Sequence, residues 1–397
     1  MKYTKVKILN GKHLSNKQTL ELEVDILNGE PGKGDFIFLK EHYYSAFPYE
    51  IQKVQKKGNA TLLTIAFPEQ DWMWNDRILP HITDEDPTAL CGINLEALYS
   101  LSVEDKIAYF TGLISGSTSD RLKAYIESNA TSAVKLIPKE FEGEEGLSKL
   151  GGLPVAPEGF TFPVDENGQS MLFIGQVHIG ELNQWFSTTR AFNGEGVLYF
   201  FSSVKEEDDC SFMGNTRVLY TDDIDQVSEV ALPDDLADYG TFPEQDLMVA
   251  ETLHIPPGES TLWPEPEMTD EERDDYQYFE SIVNLYNQLG DTQLLGHPNQ
   301  IQGCVLLEAE LMKQELLWYS PSRQWDQEQA AQTIKEIAPA CRDWKLLFEF
   351  DSDSFTELSN FSEEFNEYMD GMFYLLIKTE DLEAMNFDKV LSIYQST

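Results

Sequence analysis

At 397 residues, with 41% hydrophobic and 12% aromatic content, the chain is long enough for two or three domains with ordinary cores, which excludes wholesale disorder. Seventy Asp and Glu against 28 Lys and Arg leave a net charge of −42. That field repels nucleic-acid phosphates and anionic membranes, and it attracts basic proteins.

Residues 1–90 are expected to form a small β-barrel-like module. YTKVKIL, TLELEVDIL, DFIFLK, PYEIQKVQ and ATLLTIAF are short runs rich in strand formers, several with apolar/polar alternation. Asn28-Gly29, Pro31-Gly32 and Gly58-Asn59 supply turns between them. DWMWND then puts Trp72 and Trp74 on one side of an extended piece, either as core or as an interface anchor. Residues 91–130 read as a helical connector. NLEALYSLSVEDKIAYFTGLISG has three- and four-residue apolar spacing, with Ser102 and Asp105 as an N-terminal cap, and SDRLKAYIESN follows it.

Residues 131–397 are expected to be an acidic α+β domain, dominated by antiparallel sheet with a few peripheral helices. Its predicted strands are SAVKLIP, MLFIGQVHI, GVLYFFSSV, TRVLYTD, CVLLEAEL, WKLLFEF and MFYLLIK. Its predicted helices run from Thr269 to Leu289, Asp326 to Ile337 and Thr379 to Met385. In the first of these Thr269 caps and Glu272 answers three residues later. Charge follows this division: residues 1–100 carry a net −3 and the remaining residues a net −39.

The stretch SKLGGLPVAPEGFTFPVDENGQSMLFIGQVHI, from Ser148 to Ile179, is rich in chain-turning residues. Gly151 and Gly152 can adopt positive φ, and Pro154 fixes the chain beyond them. A phosphate cradle needs glycines between a strand and a helix, but here they precede a Pro-rich loop and a strand, so they are read as a turn. Asn167-Gly168 signals a tight turn, and Gly175 a bulge or a close backbone approach. Gln176 and His178 then share one face of the strand.

These segments resemble the YwqG-like family, a bacterial domain of unknown function. The similarity continues through GEGVLYFF, RVLYTDD, LLGHPNQIQ and LLFEFDSD to DGMFYLLIKTEDLEAMNFDKV, covering roughly residues 148–390 and leaving the N-terminal part outside. The resemblance implies an α+β fold dominated by antiparallel sheet. Some such domains sit near secreted toxins, which implies an immunity-like role.

No motif assigns a reaction. The six histidines show no HxH, HxxxH or HExxH spacing, and DSDSFTELSNFS lacks the glycine and glutamate of a calcium loop. No catalytic residue, metal set or cofactor is predicted. Four widely separated cysteines fit reduced thiols, and MKYTKVKILN has no apolar signal segment, so the expected setting is the cytoplasm. No apolar run reaches membrane-span length.

Two functions remain open, beside the reading that the acid only confers solubility or salt adaptation on a housekeeping domain and is spread evenly over all faces. The first is binding of a basic partner protein, with immunity-like neutralisation. Trp263, Tyr276 and Tyr278 would act as ring anchors, and Asp270, Glu271, Glu272, Asp274 and Asp275 would steer charge. The alternative is a small-molecule or metal-binding domain, or a hydrolase of unknown substrate. Its pocket would be built from Gln176, His178, Gln300, Asp351 and Asp353.

Overall fold

The computed structural model describes residues 4–13, 19–40, 46–66, 88–92, 97–98, 101–102, 105–106, 108–110, 112, 119–140, 146–186, 188–207, 210–258, 268–286, 292–316, 327–351 and 371–396. Its elements begin with β1 (Thr4–His13), β2 (Thr19–Asn28), β3 (Phe36–Lys40), β4 (Ala46–Lys57), β5 (Ala60–Ala66) and β6 (Thr88–Gly92). Then come α1 (Asp120–Asn129), β7 (Thr131–Glu140), β8 (Lys149–Leu150), β9 (Val155–Pro157), β10 (Leu172–His178) and α2 (Ile179–Trp185). The middle holds β11 (Val197–Glu207), β12 (Cys210–Thr221), β13 (Val227–Glu229), β14 (Gln245–His254) and α3 (Asp270–Tyr286). The chain closes with β15 (Gln293–Leu295), α4 (Val305–Lys313), α5 (Gln327–Cys341), β16 (Trp344–Asp351), β17 (Gly371–Lys378), α6 (Thr379–Glu383) and β18 (Leu391–Ser396).

The chain divides into two compact units. In the first, β1-β2-β5-β4-β3-β6 form a closed barrel of antiparallel strands, with β1 pairing β6 to complete the ring. Alternation decides what lies inside. Leu20, Leu22 and Val24 of β2 and Leu63 and Ile65 of β5 point inward and are fully buried. The second core of this unit is aromatic, with Phe38, Tyr109, Phe110, Tyr276, Phe279 and Tyr286 among its members. This unit also includes Thr252–Gly258 and α3, so those segments group with the barrel rather than with the second domain expected from the sequence.

The second unit is built on a ten-stranded sheet in the order β12-β11-β10-β8-β14-β7-β15-β16-β17-β18. Phe200 of β11 stacks on Phe348 of β16 with centroids 4.2 Å apart, although five other strands separate β11 from β16. The sheet therefore wraps around a shared interior, filled also by Phe350, Phe373, Leu375 and Ile377. Bulges place both flanks of this interior. In β10 the register slips between Phe173 and Gly175, so Phe201 pairs with Phe173 and Phe200 with Gly175. A Cβ at Gly175 would also lie 2.7 Å from a Leu150 methyl and 2.8 Å from the Lys149 carbonyl. The expected bulge and the expected close approach both occur.

The expected fold class, β-rich with antiparallel sheets and an N-terminal barrel, is what the structure shows. CVLLEAEL is a correction: it forms α4, with Cys304 as N-cap, rather than a strand. Val305, Leu306 and Ala309 are buried at helical spacing, and Ala, Leu, Glu, Met and Lys favour a helix once packing permits it.

Candidate functional site

Two places in the second unit gather polar side chains around strand ends. The first starts where β10 turns into α2. A Cβ at Gly180 would lie 2.7 Å from the Glu195 carbonyl. The glycine thus lets α2 begin hard against that backbone, and its N–H donates to the same carbonyl at 3.1 Å. α2 carries Glu181 and Trp185 four residues apart, on one helical face. The Glu181 carboxylate is held in place. Ser148 Oγ donates to Oε2 at 3.2 Å, Leu147 N donates to Oε1 at 3.4 Å, and His178 Nδ1 lies 3.1 Å from Oε1. Ser148 Oγ in turn accepts the His178 backbone N–H at 2.9 Å.

Beside this carboxylate opens a cleft of about 220 Å³ lined by Ser148, Glu181, Leu182, Trp185, Asp246 and Leu247. Trp185 is 76% exposed, more than any other large hydrophobic side chain described. Asp246 is buried and pairs across β14 and β8 with Lys149, whose ammonium sits 2.6 Å from Glu244 Oε1. An exposed indole beside two carboxylates suits a cation. The ring face attracts an ammonium or guanidinium, and the carboxylates supply charge and acceptors.

The second place is the loop from Gly296 to Gly303, which is laid across the last four strands of the sheet. Each strand gives it one side chain. Gln293 of β15 donates from Nε2 to the His297 carbonyl at 2.9 Å. Glu349 of β16 accepts from Asn299 N at 3.0 Å, and Tyr374 of β17 donates to the Asn299 carbonyl. Gln395 of β18 accepts from Ile301 N and Gln302 N at 3.0 and 3.1 Å. Gln293, Glu349 and Tyr374 are direct cross-strand neighbours, which is why they form a row on one face. The loop enters through Leu295 and Gly296 at φ 60° and 80°. Both amide atoms of Gln300 are buried here with no partner among the described residues.

A family model described as a domain of unknown function (DUF1963) matches residues 148–396. The chain belongs to the DUF1963 family. No curated protein matches the chain. The match covers both polar places and begins at Ser148, inside the cleft.

Within the DUF1963 domain, the described residues of the sequence-predicted pocket are divided among the β10 strand, the loop from Gly296 to Gly303 and the end of β16. Gln176 is fully buried and works as a clamp: its Oε1 accepts from Val155 N at 2.8 Å and its Nε2 donates to the Leu147 carbonyl at 2.7 Å. His178 backs the cleft through Glu181. Gln300 belongs to the strand-tied loop over β16, and Asp351 ends β16. Four strands therefore lie between the Gln176–His178 pair and the strand that carries Asp351. Asp353 lies outside the described residues.

The predicted partner-binding stretch is also corrected. Tyr276 and Tyr278 are buried in the core of the first unit, where their hydroxyls donate to the Pro256 and Phe38 carbonyls. They sit on the apolar stripe of α3, so they cannot serve as surface anchors. Glu272 is engaged internally with Arg121, Ser119 and the Thr269 N–H. Asp270 and Glu271 are exposed, while Asp274 and Asp275 are half-buried. Trp263, Trp72 and Trp74 lie outside the described residues.

Sequence reasoning missed Trp185, Glu181 and Asp246. One signal was available: Trp185 follows Asn183-Gln184 in a short polar segment, where a tryptophan has few apolar neighbours to pack against. Among the described residues, no three His, Cys, Asp or Glu side chains are grouped as a metal set, and no helix is long and apolar enough to cross a membrane.

Proposed function

We propose that this protein binds a basic partner protein in the cytoplasm, taking a lysine or arginine side chain of the partner into the cleft beside Trp185. The observation that carries this reading is the exposed indole at the mouth of a cleft walled by Glu181 and Asp246. A net charge of −42 supports it, because such a field raises the capture rate of cationic partners. Capture of this kind would neutralise the partner's basic surface, the immunity-like role that the YwqG-like resemblance suggests.

The test is calorimetric titration with a lysine-rich peptide. Trp185→Ala and Glu181→Gln are each expected to weaken binding about tenfold, in line with the loss of one cation–π contact or one charge-assisted bond. Trp185→Ala should leave thermal stability almost unchanged, since the ring is mostly exposed. Wild-type affinity in both variants would rule out the cleft as the binding site.

A further inference from the structure

The ten-stranded sheet of the second unit ends in β12 and β18, and among the described residues neither is hydrogen-bonded to a further strand. The two edges meet at one end, where Tyr220 of β12 packs on Phe387, shortly before β18, with ring centroids 6.0 Å apart. Further along, they flank a cleft of about 340 Å³. Asn215, Thr216 and Arg217 of β12 form one wall, with Val390, Leu391 and Ser392 opposite. This volume is within the range of natural ligand sites.

Three properties of the cleft bear on what it holds. In an antiparallel ladder, alternate residues of an edge strand direct N–H and C=O groups away from their one neighbour, and an exposed edge recruits another strand. Here two such edges face a common space. Secondly, the Thr216 hydroxyl, in the wall, is buried with no partner among the described residues, and a buried hydroxyl without a bond destabilises the fold unless a ligand satisfies it. Thirdly, the charged residues of the lining are Asp165, Glu166 and Arg217, two acids to one base. One oxygen of Asp165 is used by its own turn, accepting from Asn167 N and Gln169 N at 2.8 and 2.9 Å. Its other oxygen and the exposed Glu166 leave the lining net negative, in a chain of net charge −42.

The geometry points to the seam between β12 and β18 as the receptor for an extended segment of a basic partner protein, which pairs with the strand edges and bridges the two ends of the sheet. This rests on the basic-partner reading above. Strand addition supplies main-chain hydrogen bonds, and alternate side chains supply specificity. Met171 and Met312 in the lining give an apolar surface for one side-chain row, while Asp165 and Glu166 favour basic residues. A second copy of this chain is disfavoured as occupant, because two such acidic molecules repel.

Amide hydrogen exchange of the full chain tests this with a soluble peptide of alternating lysine and valine, and with a glutamate–valine peptide as control. The lysine peptide is expected to slow exchange about tenfold or more at Asn215–Arg217 and Leu391–Ile393, and the glutamate peptide to leave it unchanged. Binding of the lysine peptide that Trp185→Ala abolishes, without protection at these amides, would overturn the seam proposal and leave the partner reading standing. Absence of any lysine-peptide binding at low salt would overturn both. Protection of the same amides without peptide, together with a doubled mass in solution, would assign the seam to self-association and also overturn it.

Discussion

Glu272 shows how a residue that looks like part of a charged patch can be a structural element. Its side chain accepts from Thr269 N at 3.0 Å, Thr269 Oγ1 accepts from Glu272 N at 3.2 Å, and Ser119 Oγ and Arg121 complete the set. The Arg121 guanidinium, helped by the Ser119 hydroxyl and the Thr269 N–H, pulls the carboxyl from 4.5 down to about 2. Because the folded value is the lower one, the stabilisation is complete above the ordinary carboxylate range and is lost as pH falls towards 2. Glu272→Gln is therefore expected to reduce stability near neutrality by about 1 kcal/mol, with the difference from wild type shrinking as pH drops from about 4.5 to 2. A constant difference across that window, measured by thermal melts, would contradict this assignment. The capping pair was legible in TDEERDD from its spacing. The Arg121 contact was not, because it joins residues 151 positions apart. Gln300 gives a second residue-scale expectation. Its two amide atoms are buried without partners among the described residues, so Gln300→Met should raise the unfolding free energy by about 1 kcal/mol. A lower melting temperature would show instead that a bound water or ligand satisfies the amide.

At the scale of elements, the last four strands and the loop over them act as one device. Gln395 alone accepts from two loop N–H groups, and its Nε2 donates to the Gly303 carbonyl at 3.4 Å and to Glu308 Oε2 at 3.2 Å. Gln395→Leu removes every one of these bonds at a buried position. Faster amide exchange is expected at Ile301 and Gln302, by about tenfold, while the β16–β17 ladder stays protected. Uniform acceleration of both would mean that the loop and the ladder open as one unit. Element type was largely legible here: alternation identified the barrel strands, and the tight-turn and bulge glycines were placed by their conformational freedom. Gly151 at φ 64° would bring a Cβ to 2.0 Å from the Pro243 carbonyl, so its turn requires glycine. CVLLEAEL was misread because a short apolar run fits either period, and tertiary packing decided for the helix. Its Glu310 shows what that packing demands. Burial pushes the carboxyl up, yet bonds from Lys378, Gln314 and Trp344 more than offset this and hold it below the usual carboxylate range.

For the whole molecule, the acidic character was readable from composition, whereas the grouping of Thr252–Gly258 and α3 with the first unit was not. Such groupings depend on which apolar faces meet after folding, and a single sequence carries no local sign of them. The same reason hid the site. Trp185, Glu181 and Asp246 come from a helix and a strand about sixty positions apart, and they share a cleft because β10, β8 and β14 are neighbours in the sheet. The central claim is that this acidic molecule captures a basic partner by charge. The most direct test is the affinity for a lysine-rich peptide across a salt series. The account predicts that raising salt from about 50 to 500 mM weakens binding at least tenfold, mainly through a slower association rate. Affinity and association rate that stay constant across that range would contradict it.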